Sequence, residues 1–587
     1  MATKPAVIEA PTMAPNAAAN GAPIKKKLHG RAFYESIGSP KYILAPMVDQ
    51  SEFAWRMLSR SFLPEDQRST VLAYTPMFHA RLFAETQKYR DQHFQPTREV
   101  FDGQLPEPGE PPLTPWLDGN PIIDRPLFVQ FCANEPETLL EAARFVAPYC
   151  DAVDLNLGCP QGIARKGFYG AFLQEKQELI YELINTLHRE LSVPVTAKIR
   201  ILDTKEATLD YARNVLRAGA SILTVHGRRR EQKGHLTGLA DWEYIRYLRE
   251  QLPSETVLFA NGNILEHGDI DKCIAATGVD GVMSAEGNLS DPGIFAEPPP
   301  VGQEGREYWR GKDGKGGWRV DAVFRRYMDI VHSYAPGVLL PKRRELFVPG
   351  GDIAWLETAA KADRKREKED AEGRPRKRPR KEVAPPKKFD DDRSPNIAGM
   401  QAHLFHLLRH FVTKHTDVRD ALARARLGDM VTFEGILFMV ERKVAEGLME
   451  YERTGGKSIE EYLHVPSAGV GVDENDPESS VRTVRECKRP WWVAQPIVRP
   501  LPKEALAKGA IRDSKKVMKQ KEKEEAEAAE AAVVSAAMAA AAASADTQPL
   551  TAAVAKVAET VAQNEPGDDV KDLEMKTSFP SSDLVSG

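Results

Sequence analysis

Cys159 stands where a thiol can do chemistry. The run Ala152–Leu157 ends abruptly in Gly158-Cys159-Pro160, so the sulfur falls on the first loop beyond a buried strand. Two readings stay open on these residues alone. Free cysteine is among the most buried residue types, so the thiol is either structural or a reactive group on a loop. Lys198 lies inside a second apolar run, Pro194–Ile199. A cation on a central strand needs an anionic partner, and an electron-rich ring that becomes anionic on reduction would supply one. Other polar groups end other apolar runs. Gln130 and Asn156 do so, as do Arg200, His226, Arg228 and Arg230, Asn261-Gly262-Asn263 and Ala285-Glu286-Gly287. Each alone reads as a solvated strand end. Their joint occurrence at one end of successive strands is what an active rim requires.

The elements that would position them recur with a regular rhythm. Apolar runs lie at Tyr42–Met47, Val71–Phe78, Leu127–Phe131, Ala152–Leu157, Pro194–Ile199, Ile222–His226, Val257–Ala260 and Gly281–Ser284. Helical periodicity fills the gaps at Glu137–Ala147, Lys176–Leu191, Thr208–Ala218 and Asp241–Leu252. Strands alternating with helices predict a parallel sheet. Eight units predict an α/β fold of the (β/α)8 TIM-barrel type over residues 40–300, with a doubly wound sheet as the alternative. In such a barrel the catalytic groups sit at the C-terminal strand ends, and the loops after strands seven and eight bind phosphate. The polar, Pro-rich stretch 91–126 reads as a surface insertion.

Beyond residue 300 the rhythm changes. Helical patterns at Arg319–Tyr334, Asn396–His415, Val418–Leu427 and Phe433–Gly447 predict a smaller all-helical domain over 316–465, split by a charged insertion at 360–395. Residues 466–486 read as loop, and a segment at 486–502 carrying Trp491-Trp492 is expected to pack back on the core. Residues 1–30 and the charged, Ala-rich tail 503–587 read as disordered. The chain has 587 residues, a formal net charge of -5 and five cysteines with no CxxC pair. That excludes a zinc cluster or disulfide framework and fits a reducing compartment. No secretory signal and no membrane span are expected.

Several segments together resemble the tRNA-dihydrouridine synthases, and within them the eukaryotic branch acting on uridines 16 and 17 of the D-loop. They are Ala45-Pro46-Met47-Val48, Leu155 to Gln161, Gly167 to Gln174, Ala197 to Arg200, Leu223 to Arg228, Ala260 to Asn263 and Val282 to Leu289. The resemblance implies an FMN-containing barrel, NADPH or NADH as reductant, no metal, and a helical tRNA-binding domain. It implies that Pro46, Met47 and Val48 line the flavin, that Gln130 and Lys198 hydrogen-bond its pyrimidine ring, and that His226 sits against it. Asn261, Gly262, Asn263, Ala285 and Glu286 would hold its phosphate. Cys159 would be the proton donor, and Asn156 and Arg200 would hold the uracil.

Two other readings compete: a flavin barrel acting on a free pyrimidine, and a non-catalytic RNA-binding protein that kept the barrel. RNA contact is expected from Arg409, Lys414, Arg419, Arg424 and Arg426, with His403, His406 and His410 nearby, or these form a solvated face. The dense run Arg374–Lys381 is expected to be a nuclear import signal, an RNA patch or a solvated linker, so the protein would be cytoplasmic, nuclear or both. A monomer is expected.

Overall fold

Eight short strands form the centre of the molecule. They are β1 Tyr42–Leu44, β2 Val71–Tyr74, β3 Leu127–Cys132, β4 Ala152–Leu157, β5 Val195–Arg200, β6 Ile222–His226, β7 Val257–Asn261 and β8 Gly281–Ser284. In this computed structural model, residues 27–99, 113–334, 340–371, 394–465, 476 and 478–507 are described. All strand pairings are parallel, in the order β2-β1-β8-β7-β6-β5-β4-β3, and β2 also pairs with β3. The sheet therefore closes on itself, and the doubly wound alternative, which needs two open edges, is excluded. Closure explains why the strands read as continuous apolar runs: both faces of each are covered.

The outer helices bury one apolar stripe each. Gln177–Glu190 turns Ile180, Leu183, Ile184 and Leu187 inward, the spacing that keeps one face of a helix apolar. The second strand is shorter than its apolar run. It stops at Tyr74, and a two-residue strand, Phe78–His79, resumes pairing beside Phe131 and Cys132. Pro76 lies between and has no N–H to donate to a ladder.

Three expectations need correction. The insertion at 91–126 is not only surface. It carries a small hairpin, Thr97–Glu99 with Leu113–Pro115, and it sends Asp118 and Asp124 into the interior. Arg56 donates to Asp118 at 2.8 Å and to Asp124 at 3.1 and 2.5 Å, and Arg60 donates to Asp124 at 2.6 Å. All four side chains are buried. Two arginines one helical turn apart on Phe53–Arg60 thus need two carboxylates from the insertion. The stretch 466–486 contains a helix, Ser480–Cys487, begun by the Ser479 hydroxyl accepting from Val481 N. The charged insertion begins inside a helix, Ala354–Ala371, because its Ala, Lys, Arg and Glu are strong helix formers. Residues 372–393, with the run Arg374–Lys381, lie outside the described residues, as do 1–26 and 508–587. The chain is helical from Gly30 to Ser36, at the edge of the expected N-terminal disorder.

The helical region packs on the barrel through Val320–Tyr334, and its longest described helix is Met430–Thr454. Trp491 and Trp492 are buried, and Gly447 leaves room for them: a Cβ there would lie 2.6 Å from Trp491. The described residues through Leu501 make one compact unit. Among the described residues no helix is long and apolar enough to cross a membrane, and no cluster of His, Cys, Asp and Glu could hold a metal ion.

Candidate active site

Strand register assembles the polar groups into tiers inside the barrel. Gln130 is level with Asp154, and Asp154 with Thr196. One step nearer the C-terminal rim, Asn156 is level with Lys198, and Lys198 with Thr224. At the rim Arg200, His226, Asn261 and Met283 are level. Side chains two residues apart on a strand share a face, so each tier continues the one below. Hydrogen bonds link them. Thr196 Oγ1 donates to Asp154 at 2.6 Å, and Gln130 Nε2 donates to the other Asp154 oxygen at 2.8 Å. Asn156 Nδ2 donates to Gln130 Oε1 at 2.9 Å. The buried Asp154 thereby fixes which way both amides face.

Asn156 is also what shapes the thiol loop. Its Oδ1 accepts from Gly158 N at 3.1 Å and from Cys159 N at 2.9 Å. Arg200 supports the loop from below, donating to Gly158 O at 2.6 Å and to Arg229 O at 3.2 Å. Nε and one terminal nitrogen of its guanidinium are engaged by the loop. Gly170 closes the other side, with φ +65° and a would-be Cβ 2.9 Å from Cys159 Cβ. Only glycine permits both that backbone and that approach. Cys159 alone of the five cysteines is not fully buried.

The electrostatics follow from burial. Desolvation raises the Cys159 thiol, against weaker lowering by a hydrogen bond from the Gln161 backbone and by Arg200, Lys198 and Lys233, so the sulfur keeps its proton at neutral pH. Burial lowers Lys198 to about 7, helped by Arg200 and opposed by Asp154. Burial raises Asp154 to about 6. His226 is pushed well down by burial and by Arg200, Lys198 and Arg228, so its ring is neutral. Two buried atoms in this mouth lack a partner: His226 Nδ1 and Asn261 Oδ1. The Lys198 ammonium has no hydrogen-bond partner among the described residues.

Beside the rim lies a cavity of about 240 Å³, lined by Arg228, Asn263, Ala285 and Glu286 among others and walled on one side by Thr483 and Arg499. Glycine is required at two of its edges. A Cβ on Gly262, at φ +115°, would lie 2.5 Å from Ala240 Cβ, and one on Gly287 would lie 2.2 Å from Ile264 O. Arg228 spans the floor. It donates to Gly238 O at 3.1 Å and to Asn263 Oδ1 at 3.0 Å, and it lies 3.2 Å from His226 Nε2. Pro46 and Met47 are buried at the end of β1, while Val48 is exposed. Sequence reading gave no role to Asp154, Arg228 or Arg499. Arg228 was legible as the second residue after His226. Arg499 was not, since it arrives from the far end of the chain to pair with Glu286 at 2.9 Å.

Comparison with known proteins identifies the family. The family model described as dihydrouridine synthase matches residues 43–308, the span holding every barrel strand but the first residue of β1. A tRNA-dihydrouridine(16/17) synthase of Schizosaccharomyces pombe is 42% identical over 477 residues, covering 81% of this chain and 92% of that protein. Its Saccharomyces cerevisiae namesake is 41% identical over 478 residues, covering 81% and 88%. A mouse protein named as like these is 45% identical over 284 residues, covering 48% and 54%. The likeness to the yeast proteins thus runs through the barrel and well past it, and the chain belongs to the dihydrouridine synthase family.

Proposed function

We propose that this protein reduces the 5,6 double bond of tRNA D-loop uridines to dihydrouridine, at the positions 16 and 17 that the yeast relatives' names give. FMN occupies the barrel mouth in this reading, and NADPH or NADH recharges it. The observation that carries the reading is the Cys159 thiol on the loop after β4, its backbone N–H held by Asn156, which is level with Lys198. The residues present fit a flavin. His226 Nδ1 and Asn261 Oδ1 are buried polar atoms awaiting a partner, and the cavity edges are kept open by Gly262 and Gly287.

Pro46, Met47, Val48, Gln130, Lys198 and His226 would hold the ring. Asn261, Gly262, Asn263, Ala285 and Glu286, with Arg228, would hold the phosphate. The flavin supplies the hydride. The protein does the rest. Asn156 holds the uracil and sets the loop, Arg200 keeps the loop in place, and Lys198 offsets negative charge near it. Cys159 delivers its proton to C5 as charge develops there.

The exposed Arg409, Lys414, Arg419, Arg424 and Arg426 support a tRNA-docking role for the helical region. His403 does not belong with them: it is buried, with Nε2 2.9 Å from a Glu52 oxygen. Monomeric action and a nuclear import role for Arg374–Lys381, alongside a cytoplasmic pool, are parts of the same proposal. The test is anaerobic. Prereduced enzyme is mixed with unmodified tRNA, and the product is mapped for dihydrouridine. Reoxidation with new dihydrouridine at 16 and 17 supports the reading. No reoxidation by tRNA, or reoxidation by free uracil at equal rate, overturns it.

A further inference from the structure

Phe168 is an exposed aromatic in a conformation that aromatic residues avoid. It closes the short helix Gly162–Gly167 with φ 51° and ψ 52°, the left-handed region where helix ends normally place glycine. A glycine is adjacent, at 167, but it serves another purpose: a Cβ there would lie 2.5 Å from the Tyr169 ring. Phe168 gains no burial in exchange, since 69% of it is exposed, and Ile163 on the same helix is 70% exposed. Neither backbone preference nor packing accounts for a phenylalanine here. A strained, exposed side chain held beside reacting groups is a sign of function.

Its surroundings say which function. Tyr169 packs with Cys132 and Cys159, and Gly170 abuts the Cys159 backbone. Phe168 is therefore fixed one residue from the wall of the thiol site. Arg165 and Lys166, on the same turn, are exposed and form no ion pair among the described residues. An apolar tip flanked by two cations and set at a catalytic mouth suits a nucleic-acid strand: cations for phosphates, a ring for a base stack.

We propose that Phe168 is a wedge that enters the tRNA base stack as the target uridine leaves it. The proposal rests on the tRNA reading above. A base that must reach a barrel mouth leaves a gap, and enzymes that extrude a base must offset the lost stacking. Apolar side chains inserted between base steps do this in other settings. The strained backbone holds the ring outward, ready to insert.

The experiment uses prereduced full-length enzyme and two RNAs: folded unmodified tRNA, and a short single-stranded oligonucleotide with the D-loop sequence, whose uridines are already unstacked. Each RNA also carries 2-aminopurine next to the target, to report unstacking. Phe168→Ala should slow single-turnover reoxidation by folded tRNA at least tenfold and abolish the fluorescence rise. It should leave the rate with the oligonucleotide at the wild-type value. Phe168→Trp should restore the folded-tRNA rate, and Ile122→Ala, at the opposite end of the barrel, should change nothing. Phe168→Gly should raise thermal stability, by relieving the backbone, while reacting as poorly as Phe168→Ala. Equal rates and equal fluorescence for Phe168→Ala and wild type on folded tRNA would overturn the wedge. So would an equal loss on both RNAs, or self-association of wild type that Phe168→Ala abolishes. Failure of wild type itself on both RNAs would count against the tRNA reading instead.

Discussion

At Cys159 the fold keeps a proton on sulfur where nucleophilic cysteines are built to lose it. The Gln161 backbone N–H at the start of the helix Gly162–Gly167 hydrogen-bonds the sulfur and favours the thiolate, yet burial outweighs it and raises the thiol above the usual cysteine range. An acid is what such a site offers. Cys159→Ala is expected to lower single-turnover reduction of tRNA by about 10²–10⁴-fold while flavin absorbance is retained, because a positioned general acid contributes that much. Wild-type turnover in the variant would end the proton-donor assignment. Lys198 makes a second residue-scale prediction, in apoprotein stability. Folding lowers its pKa from 10.5 to about 7. Between those values the unfolded chain holds a proton that the folded chain has released, so stability from this group rises with pH across that window. Below it the buried charge is present and costly. Lys198→Met should therefore stabilise the apoprotein more at pH 6 than at pH 9, read as denaturation midpoints at both. Equal gains at the two pH values would mean that Lys198 stays charged throughout.

Elements were legible where their periodicity was local. The eight strands announced themselves because closure buries both faces, and the rim residues followed from strand ends. Arg56, Arg60, Asp118 and Asp124 were not legible. A Pro-rich, polar stretch looks like a surface loop until two buried guanidiniums are known to need its carboxylates. The helix Ser480–Cys487 was missed for a related reason: eight residues amid polar sequence carry too short a pattern. The insertion's structural role is testable. Asp124→Asn removes one charge from a fully buried cluster and leaves two guanidiniums, Arg56 and Arg60, with a single carboxylate, Asp118. It should destabilise the protein by about 3–5 kcal/mol, read by denaturant unfolding. A cost under ~1 kcal/mol would show that water or Asp118 takes up the slack.

At the scale of the whole molecule, a buried joint ties the helical region to the barrel. His403 of the helical region stacks on Trp55 at 4.0 Å between ring centroids and bonds Glu52, while Trp55 Nε1 donates to Asn288 beside the cavity loop. The helical region is thus fixed against the loops that follow β1 and β8. If its cations dock the tRNA, Arg409→Glu, Lys414→Glu and Arg424→Glu together should weaken tRNA binding and flatten its dependence on salt. The slope of log K against log salt should fall by about 0.7–0.9 per lost phosphate contact. Affinity unchanged across salt would leave these residues as a solvated face.

The cavity wall supplied by Thr483 and Arg499 also sets an order in time. A ribosome that has just completed β8 still has roughly 200 residues to translate before Arg499 emerges, about 10–40 s at ordinary elongation rates. During that interval the barrel can close while the cavity beside its rim lacks the wall that Thr483 and Arg499 supply. A nascent chain can therefore meet a cofactor at a wider cavity than the finished protein presents.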